Sequence, residues 1–356
     1  MNQYVKFDPK EMEIVGYDRQ HGGPFFPPLP IYKSPISRRE NFLRLYRGEH
    51  PLWMPHTDDL SYFFPACVPD TIARGMVTDT IQYTPDQFGG KDMFGIEWEY
   101  VPQVSGSMVR PGEPFVKDLN RWEDYMQFPD IETWDWEACA ERTEPLRSDG
   151  RVVKISFYTS FFERLISMVE MTDALLAMID EDYEDAIHRL FDRLADLYCA
   201  ILEKYRKYFR PDIVWFHDDW GSQLAPFFHA ETLEEMIAPY MKRVVQAAHE
   251  NNMFFDLHSC GHIESLVPVM IEMGIDSWQG QSMNDKLQVA KDHPEIIVDC
   301  DAPTLPPEAS EAELRAVLQP FAEDFANRRA YVGLNFGHHP LENQLIYELT
   351  RKTFNP

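Results

Sequence analysis

The sequence predicts an α/β protein of the (β/α)8 TIM-barrel class, with an N-terminal arm and an insertion around residues 57–150. Three observations carry this expectation. From residue 151 onward, short apolar runs alternate with helix-periodic segments, the rhythm of parallel βα units. No G-x-G-x-x-G follows a strand-like run, which argues against an open dinucleotide-binding sheet. The ends of the apolar runs collect His, Cys and Asp, and the C-terminal ends of barrel strands are where such a fold carries its chemistry.

Residues 1–36 read as an irregular arm, because "GGPFFPPLPIYKSP" has too much Pro and Gly for regular structure. Its Phe and Pro content suits docking on a surface. Ser37 to Glu40 has capping-box spacing and opens a short helix, "RRENFLRLYRG", closed by Gly48. "PLWMPH" reads as a strand ending at His56. Strands and turns over "KDMFGIEWEYVPQVSGSMVRPGEPFVKDL" suggest a lid or hairpin insertion, and an eighth barrel strand is expected from residues 76–100. Further strands are expected over 152–158, 212–219, 254–260, 275–280, 296–301 and 330–337. Between them, residues 160–209 are helix-periodic throughout. Capping boxes at Thr232–Glu235 and Ser310–Glu313 open two more helices. Ile263, Leu266, Val267 and Met270 share one face of another, which Gly274 ends.

The 356-residue chain is 44% hydrophobic, enough for a large core. Its formal charge of −26 repels nucleic acid and anionic membranes, and disfavours a substrate with many carboxylates. No uncharged apolar run approaches the ~20 residues of a membrane span, and the charged N-terminus lacks the apolar core of a signal peptide. A cytoplasmic location is expected. The five cysteines show no disulfide spacing. Cys199 falls in a helical pattern as a small hydrophobe, and Cys67 and Cys139 have no obvious partners.

In chain order the strand ends carry His56, Tyr158, His217, Asp218, Asp219, His258, Cys260, Gln279, Cys300, Asp301, Asn335, His338 and His339. On a strand, His258 and Cys260 point to the same side, and an imidazole with a thiolate suits Zn²⁺. Two ligands are too few for a catalytic site. Cys300 and His338 stand at later strand ends from which either can converge, and Asp219 is a further candidate. The alternative is a buried thiol beside a hydrogen-bonded histidine, without metal. Asp256-x-His258-x-x-Gly261 also fits the short signature of cobalt-ligating histidines. The downstream S-x-L and Gly-Gly of that pattern are missing, so cobalamin binding by this segment is rejected. In "WFHDDWGSQ" the side chains of Asp218 and Asp219 diverge, so one faces the mouth for acid–base or ligand duty while the other caps or pairs. Tyr158, Trp215, His217, Gln279, Asn335 and His338 are the candidate substrate contacts, the aromatic ones suited to a flat apolar ligand.

The chain resembles the uroporphyrinogen decarboxylase superfamily, and in particular its corrinoid-dependent methyltransferase branch. The pieces that carry the resemblance are "NFLRLYRGEHPLWMP", "DMFGIEWEY", "PGEPFVKDL", "SFFERL", "WFHDDWGSQ", "EEMIAPYMKRVVQAAHENN", "LHSCGHIESLVPVMIEMGID" and "GLNFGHHP". The resemblance implies one TIM-barrel domain over residues 37–356. The decarboxylases grip propionates with an Arg-rich N-terminal motif, whereas this chain has the acidic "PLWMPHTDDLSYF" there. The methyltransferases bind zinc through H-x-C plus a later cysteine. His258 and Cys260 match the first part. The last strand has "NFGHHP" in place of the cysteine, and Cys300 stands one strand earlier. This departure is similar to the O-demethylase methyltransferases, and implies a zinc centre of His258, Cys260 and Cys300 with Asp218 or Asp219 as catalytic carboxylate. The substrate would be a small aromatic methyl ether and the acceptor Co(I) of a separate corrinoid protein. Zinc-dependent thiol methylation and a tetrapyrrole-binding barrel are the alternatives. The oligomeric state is left open.

Overall fold

The structure, a computed structural model, describes residues 6–18, 29–104, 106–110, 112–303, 305–333, 339 and 341–354. They fall into two compact units, one within residues 1–60, 150–152 and 286–356, the other within 61–149 and 153–285. The strands are β1 (Ile14–Asp18), β2 (Leu29–Tyr32), β3 (Leu60–Phe63), β4 (Gly90–Lys91), β5 (Glu97–Val101), β6 (Gly106–Val109), β7 (Val152–Phe157), β8 (Ile213–His217), β9 (Phe254–His258), β10 (Ser277–Gln279), β11 (Ile297–Cys300) and β12 (Ala330–Val332). β3 and β7 to β12 make up the parallel α/β architecture of a TIM-barrel-like fold.

In the larger unit the hydrogen-bonded order is β3-β7-β8-β9-β10, with β7 to β10 parallel to one another. β7 and β8 are buried along their whole length, as parallel strands covered on both faces must be. Phe157 and Phe216 pack against Tyr198 of the helix Glu181–Tyr208 at ring distances of 4.8 and 5.8 Å. The alternate positions of β8, Trp215 and His217, therefore face the other side of the sheet.

The smaller unit pairs β11 with β12 in parallel and forms a β1–β2 hairpin. The arm is thus not wholly irregular: residues on either side of the Pro/Gly-rich stretch pair as strands. Glu11 of the arm is buried and accepts hydrogen bonds from Arg351 Nε and Nη2, each 2.7 Å, and from Tyr347 Oη at 2.9 Å.

Four local expectations need correction. Residues 52–56 form no strand beyond a single bridge from His56 to Val332. Pro51 and Pro55 lack ladder donors, and the amides of Leu52 and Met54 donate to Asn41 Oδ1 and Thr350 Oγ1 instead. Residues 76–100 hold β4 and most of β5, and β5 joins β4 and β6 in an antiparallel sheet of the insertion. Its Trp98 is buried between exposed Glu97 and Glu99, the alternation of a sheet packed on one face. Residues 160–209 break into three helices, at Glu170, whose φ is +70°, and at Asp180, which caps the last of them. The helix expected to start at Thr232 begins at Ala230 and is interrupted at Ile237, where Pro239 opens a new helix. Ser37 and Ser310 cap their helices as the spacing predicts.

Arg164 anchors the larger unit. Buried in the helix Phe161–Val169, it pairs with Asp70 and, at 2.6 Å, with Asp92. Trp98 Nε1 donates to the same Asp92 carboxylate at 3.0 Å, which ties the insertion to this helix. Arg164→Ala leaves two buried carboxylates without their cation and is expected to cost about 3–5 kcal/mol in denaturant unfolding. A loss below ~1 kcal/mol would show that the network contributes little.

Candidate functional site

The parallel ladder sets three polar side chains side by side. His217 of β8 is in register with His258 of β9, and His258 with Gln279 of β10. All three are strand-final residues, so their side chains project at one rim of the sheet. Beneath them Asp256 is fully buried, paired with Lys154 and accepting from Ser277 Oγ at 2.7 Å. The Asp of the Asp-x-His-x-x-Gly frame is thus an internal strut of the sheet.

The chain leaves β8 through Asp218 and Asp219, whose side chains part company. Asp218 is fully buried and accepts from the amides of Phe162 and Glu163 at 3.2 and 2.9 Å, and from Trp220 Nε1 at 2.8 Å. It thereby caps the start of the helix Phe161–Val169. Burial pushes its carboxyl up to about 7 against those hydrogen bonds. Asp219 instead reaches toward β9, and its Oδ1 accepts from the Cys260 amide at 2.7 Å.

Asp219, His258 and Cys260 form a cluster in which one ligand atom from each lies within 4.8 Å of the others. Cys260 Sγ is 3.5 Å from His258 Nε2. Tetrahedral zinc, with Zn–S about 2.3 Å and Zn–N about 2.0–2.1 Å, separates such a pair of donors by about 3.5 Å. One nitrogen, one sulfur and one carboxylate oxygen make a three-ligand set that leaves a fourth position for substrate. His258 Nδ1 lies 3.1 Å from Gln279 Oε1, the outer contact that a ligating histidine needs. Burial lowers the His258 pKa and favours the neutral imidazole. Burial, with Asp219 beside it, raises the Cys260 thiol, and a bound cation would reverse that preference. The cluster therefore fits a zinc ion.

Two turns hold the cluster together. Gly261 has φ +101°, and a Cβ there would stand 2.3 Å from the Gly221 carbonyl carbon. The loops after β8 and β9 touch backbone to backbone, which is why both "DDWG" and "HSCG" end in glycine. Gly261→Ala is expected to cost about 1–3 kcal/mol from backbone conformation alone, with the clash added, read as a lowered Tm. An unchanged Tm would refute the close approach.

The wall beside the cluster is aromatic. His217 lies 4.2 Å from Trp215, 4.5 Å from Tyr158 and 4.9 Å from His258 between ring centroids. His217 Nε2 and Trp215 Nε1 are buried without a hydrogen-bond partner among the described residues. Burial, reinforced by His258, Arg74 and Lys154, holds the His217 pKa far below its ordinary value. Burial likewise raises the Tyr158 phenol above its ordinary range, and its hydroxyl donates to Met76 Sδ at 2.7 Å.

Sequence reasoning missed Arg74 and Glu163. Arg74 Nη1 and Nη2 each donate to Glu163 Oε1 at 3.1 Å, and the guanidinium lies 5.0 Å from the Trp98 ring. Glu163 Oε2 is buried without a partner among the described residues. Burial pushes Glu163 up to about 7; Arg74 opposes this, and Asp219 and Asp218 add to it. "TIARG" and "SFFERL" both read as ordinary helix, so no local signal marks this pair.

Cys300 lies at the end of β11 in the smaller unit, fully buried, and is not a member of the cluster. Burial raises its thiol pKa, with Asp299 adding to the effect. His56 and His339 each accept a following amide on Nδ1, from Asp58 at 3.0 Å and Leu341 at 3.2 Å, and so serve as caps. Asn335 and His338 lie outside the described residues.

Residues 74–342 match the family model described as uroporphyrinogen decarboxylase (URO-D). No curated protein matches the chain. Among solved structures, an Old Yellow Enzyme from Pichia sp. AKU4542 shares 10% identity over 60% of this chain and 66% of its own, with a TM-score of 0.36. The xylanase XynB from Paenibacillus barcinonensis shares 12% over 57% of this chain and 71% of its own, with a TM-score of 0.29. Likenesses that distant carry no argument about chemistry.

Proposed function

The chain belongs to the uroporphyrinogen decarboxylase family, and from that premise we propose that it is a zinc-dependent methyltransferase, taking the methyl group of a small aromatic methyl ether and passing it to Co(I) of a separate corrinoid protein. The observation that carries this reading is the Asp219–His258–Cys260 cluster with its donors at zinc spacing. The nearby cations speak against decarboxylation of a polycarboxylate. Arg74 is paired with Glu163 and Lys154 with Asp256, so neither is left to grip substrate carboxylates. A single sulfur in the ligand set favours oxygen chemistry over thiol methylation, since thiolates weaken Lewis acidity and carboxylate ligands suit harder partners.

A zinc ion held by Asp219, His258 and Cys260 would supply Lewis acidity to the ether oxygen, which has to depart with the electron pair of the broken C–O bond. Tyr158, Trp215 and His217 offer ring faces for the substrate arene. The neutral His217 and the unpartnered Trp215 Nε1–H accommodate a polar ring substituent. Asp218 is committed to capping and Asp219 to the cluster, so Glu163 is the carboxyl left to protonate the departing oxygen. Arg74 fixes one Glu163 oxygen and leaves the other free.

Among the described residues no helix is long and apolar enough to cross a membrane, in keeping with a proposed cytoplasmic site of action. Incubating the zinc-loaded protein with a panel of methoxyarenes and a reduced corrinoid protein tests the reading. Stoichiometric phenol and methylcobalt are expected. Methyl transfer to an added thiol from methylcobalt, with no ether cleavage, would favour the alternative.

A further inference from the structure

We propose that the two glutamines flanking Gly280 prepare the donor atoms of the metal centre: Gln279 by accepting the Nδ1 proton of His258, and Gln281 by donating to the sulfur of Cys260. The inference rests on the metal reading above and concerns residues outside the ligand set.

The orientation of Gln281 follows from its neighbours. The Gly261 amide can only donate, and it meets Gln281 Oε1 at 2.9 Å. The carboxamide nitrogen is thereby turned to Cys260 Sγ, 3.4 Å away. An N–H aimed at sulfur stabilises thiolate over thiol, since only the charged form gains a charge-assisted hydrogen bond. Asn284 keeps this turn in place. Its Nδ2 donates to Gly261 O and to Gln281 O, each at 2.9 Å, and its Oδ1 accepts from the Ile263 amide at 2.9 Å.

Gln279 acts on the other ligand. His258 Nε2 faces the sulfur at 3.5 Å, so it binds metal only as a lone-pair donor. The ring proton must then sit on Nδ1, opposite Gln279 Oε1 at 3.1 Å. Gln279 is itself buried and held in register with His258 by the β9–β10 ladder.

The two roles have opposite senses, which gives a discriminating test with one chemical change. Gln279→Glu keeps an acceptor against Nδ1–H and raises the basicity of the imidazole. Gln281→Glu keeps the acceptor for the Gly261 amide but turns a carboxylate oxygen toward the sulfur. Zinc affinity of each full-length variant is measured by competition with a chromogenic chelator. The sulfur-to-metal charge-transfer band of the Co²⁺-substituted protein is recorded alongside. Gln279→Glu is expected to bind zinc at least as tightly as the parent chain. Gln281→Glu is expected to bind about 10–100-fold more weakly and to show a weakened thiolate band. Gln281→Met, which also lacks the donor, carries the same expectation if Gln281→Glu does not fold. Zinc affinities that rise together in the two Glu variants would reduce both effects to net charge and overturn the proposal, as would unchanged affinities and spectra. If the parent chain takes up no more zinc than His258→Ala, the metal reading itself fails, and this inference with it.

Discussion

His258→Ala and Cys260→Ala will each reduce bound zinc from about one ion per chain toward none, and methyl transfer with it. A three-ligand site that loses a ligand keeps only two protein donors, fewer than a stable catalytic zinc site uses. Apo Cys260→Ala should melt close to the parent apo protein, because its side chain is only partly buried at the rim, whereas apo His258→Ala also gives up ring contacts with Trp215 and His217. Asp219→Ala should also lose zinc, though it additionally removes the acceptor for the Cys260 amide. Cys300→Ala is the informative control. It stands outside the cluster, so it should retain zinc and lose some stability by emptying a buried site. Zinc loss in Cys300→Ala equal to that in Cys260→Ala would contradict this assignment.

Glu163→Gln is expected to lower turnover by about 10²–10⁴-fold, the usual contribution of a positioned general acid, while zinc content stays unchanged. The amide preserves the size of the side chain and an oxygen for Arg74 but has no acidic proton. Glu163 is pushed up to about 7 by burial. The protonated acid is present below that value and is lost as pH rises through it, so turnover should fall on the alkaline side. Asp218, pushed up to about 7 by its own burial, titrates in the same window, but its hydrogen bonds commit it to capping. The alkaline fall should therefore vanish in Glu163→Gln. Ethers with acidic phenol leaving groups, which need less protonation, should suffer least. A variant within about threefold of the parent and with the same pH profile would remove Glu163 from the reaction.

Much of this was legible in the sequence because it follows from short-range rules. The βα rhythm after residue 151 located β7 to β12, since strands buried on both faces read as apolar runs. The i, i+2 spacing of His258 and Cys260 put them on one side of a strand end. The divergence of Asp218 and Asp219 was likewise predictable, although which of them turned inward was not. What remained hidden depends on contacts between distant segments. Asp219 meets the Cys260 amide, 41 residues on, only once β8 and β9 pair. Glu163 and Arg74 read as helix surface and became a pair only when two helices met. The 52–56 segment misled because its apolar pattern outweighed two prolines whose missing donors break the ladder.

The proposed zinc centre takes one nitrogen, one sulfur and one carboxylate oxygen from His258, Cys260 and Asp219, with a position left for substrate. X-ray absorption at the zinc edge of the purified, zinc-loaded protein tests it most directly. A single sulfur scatterer at about 2.3 Å is expected, with the remaining shell made of nitrogen and oxygen. Two sulfur scatterers in that shell, or an all-nitrogen-and-oxygen shell that persists in Cys260→Ala, would contradict it.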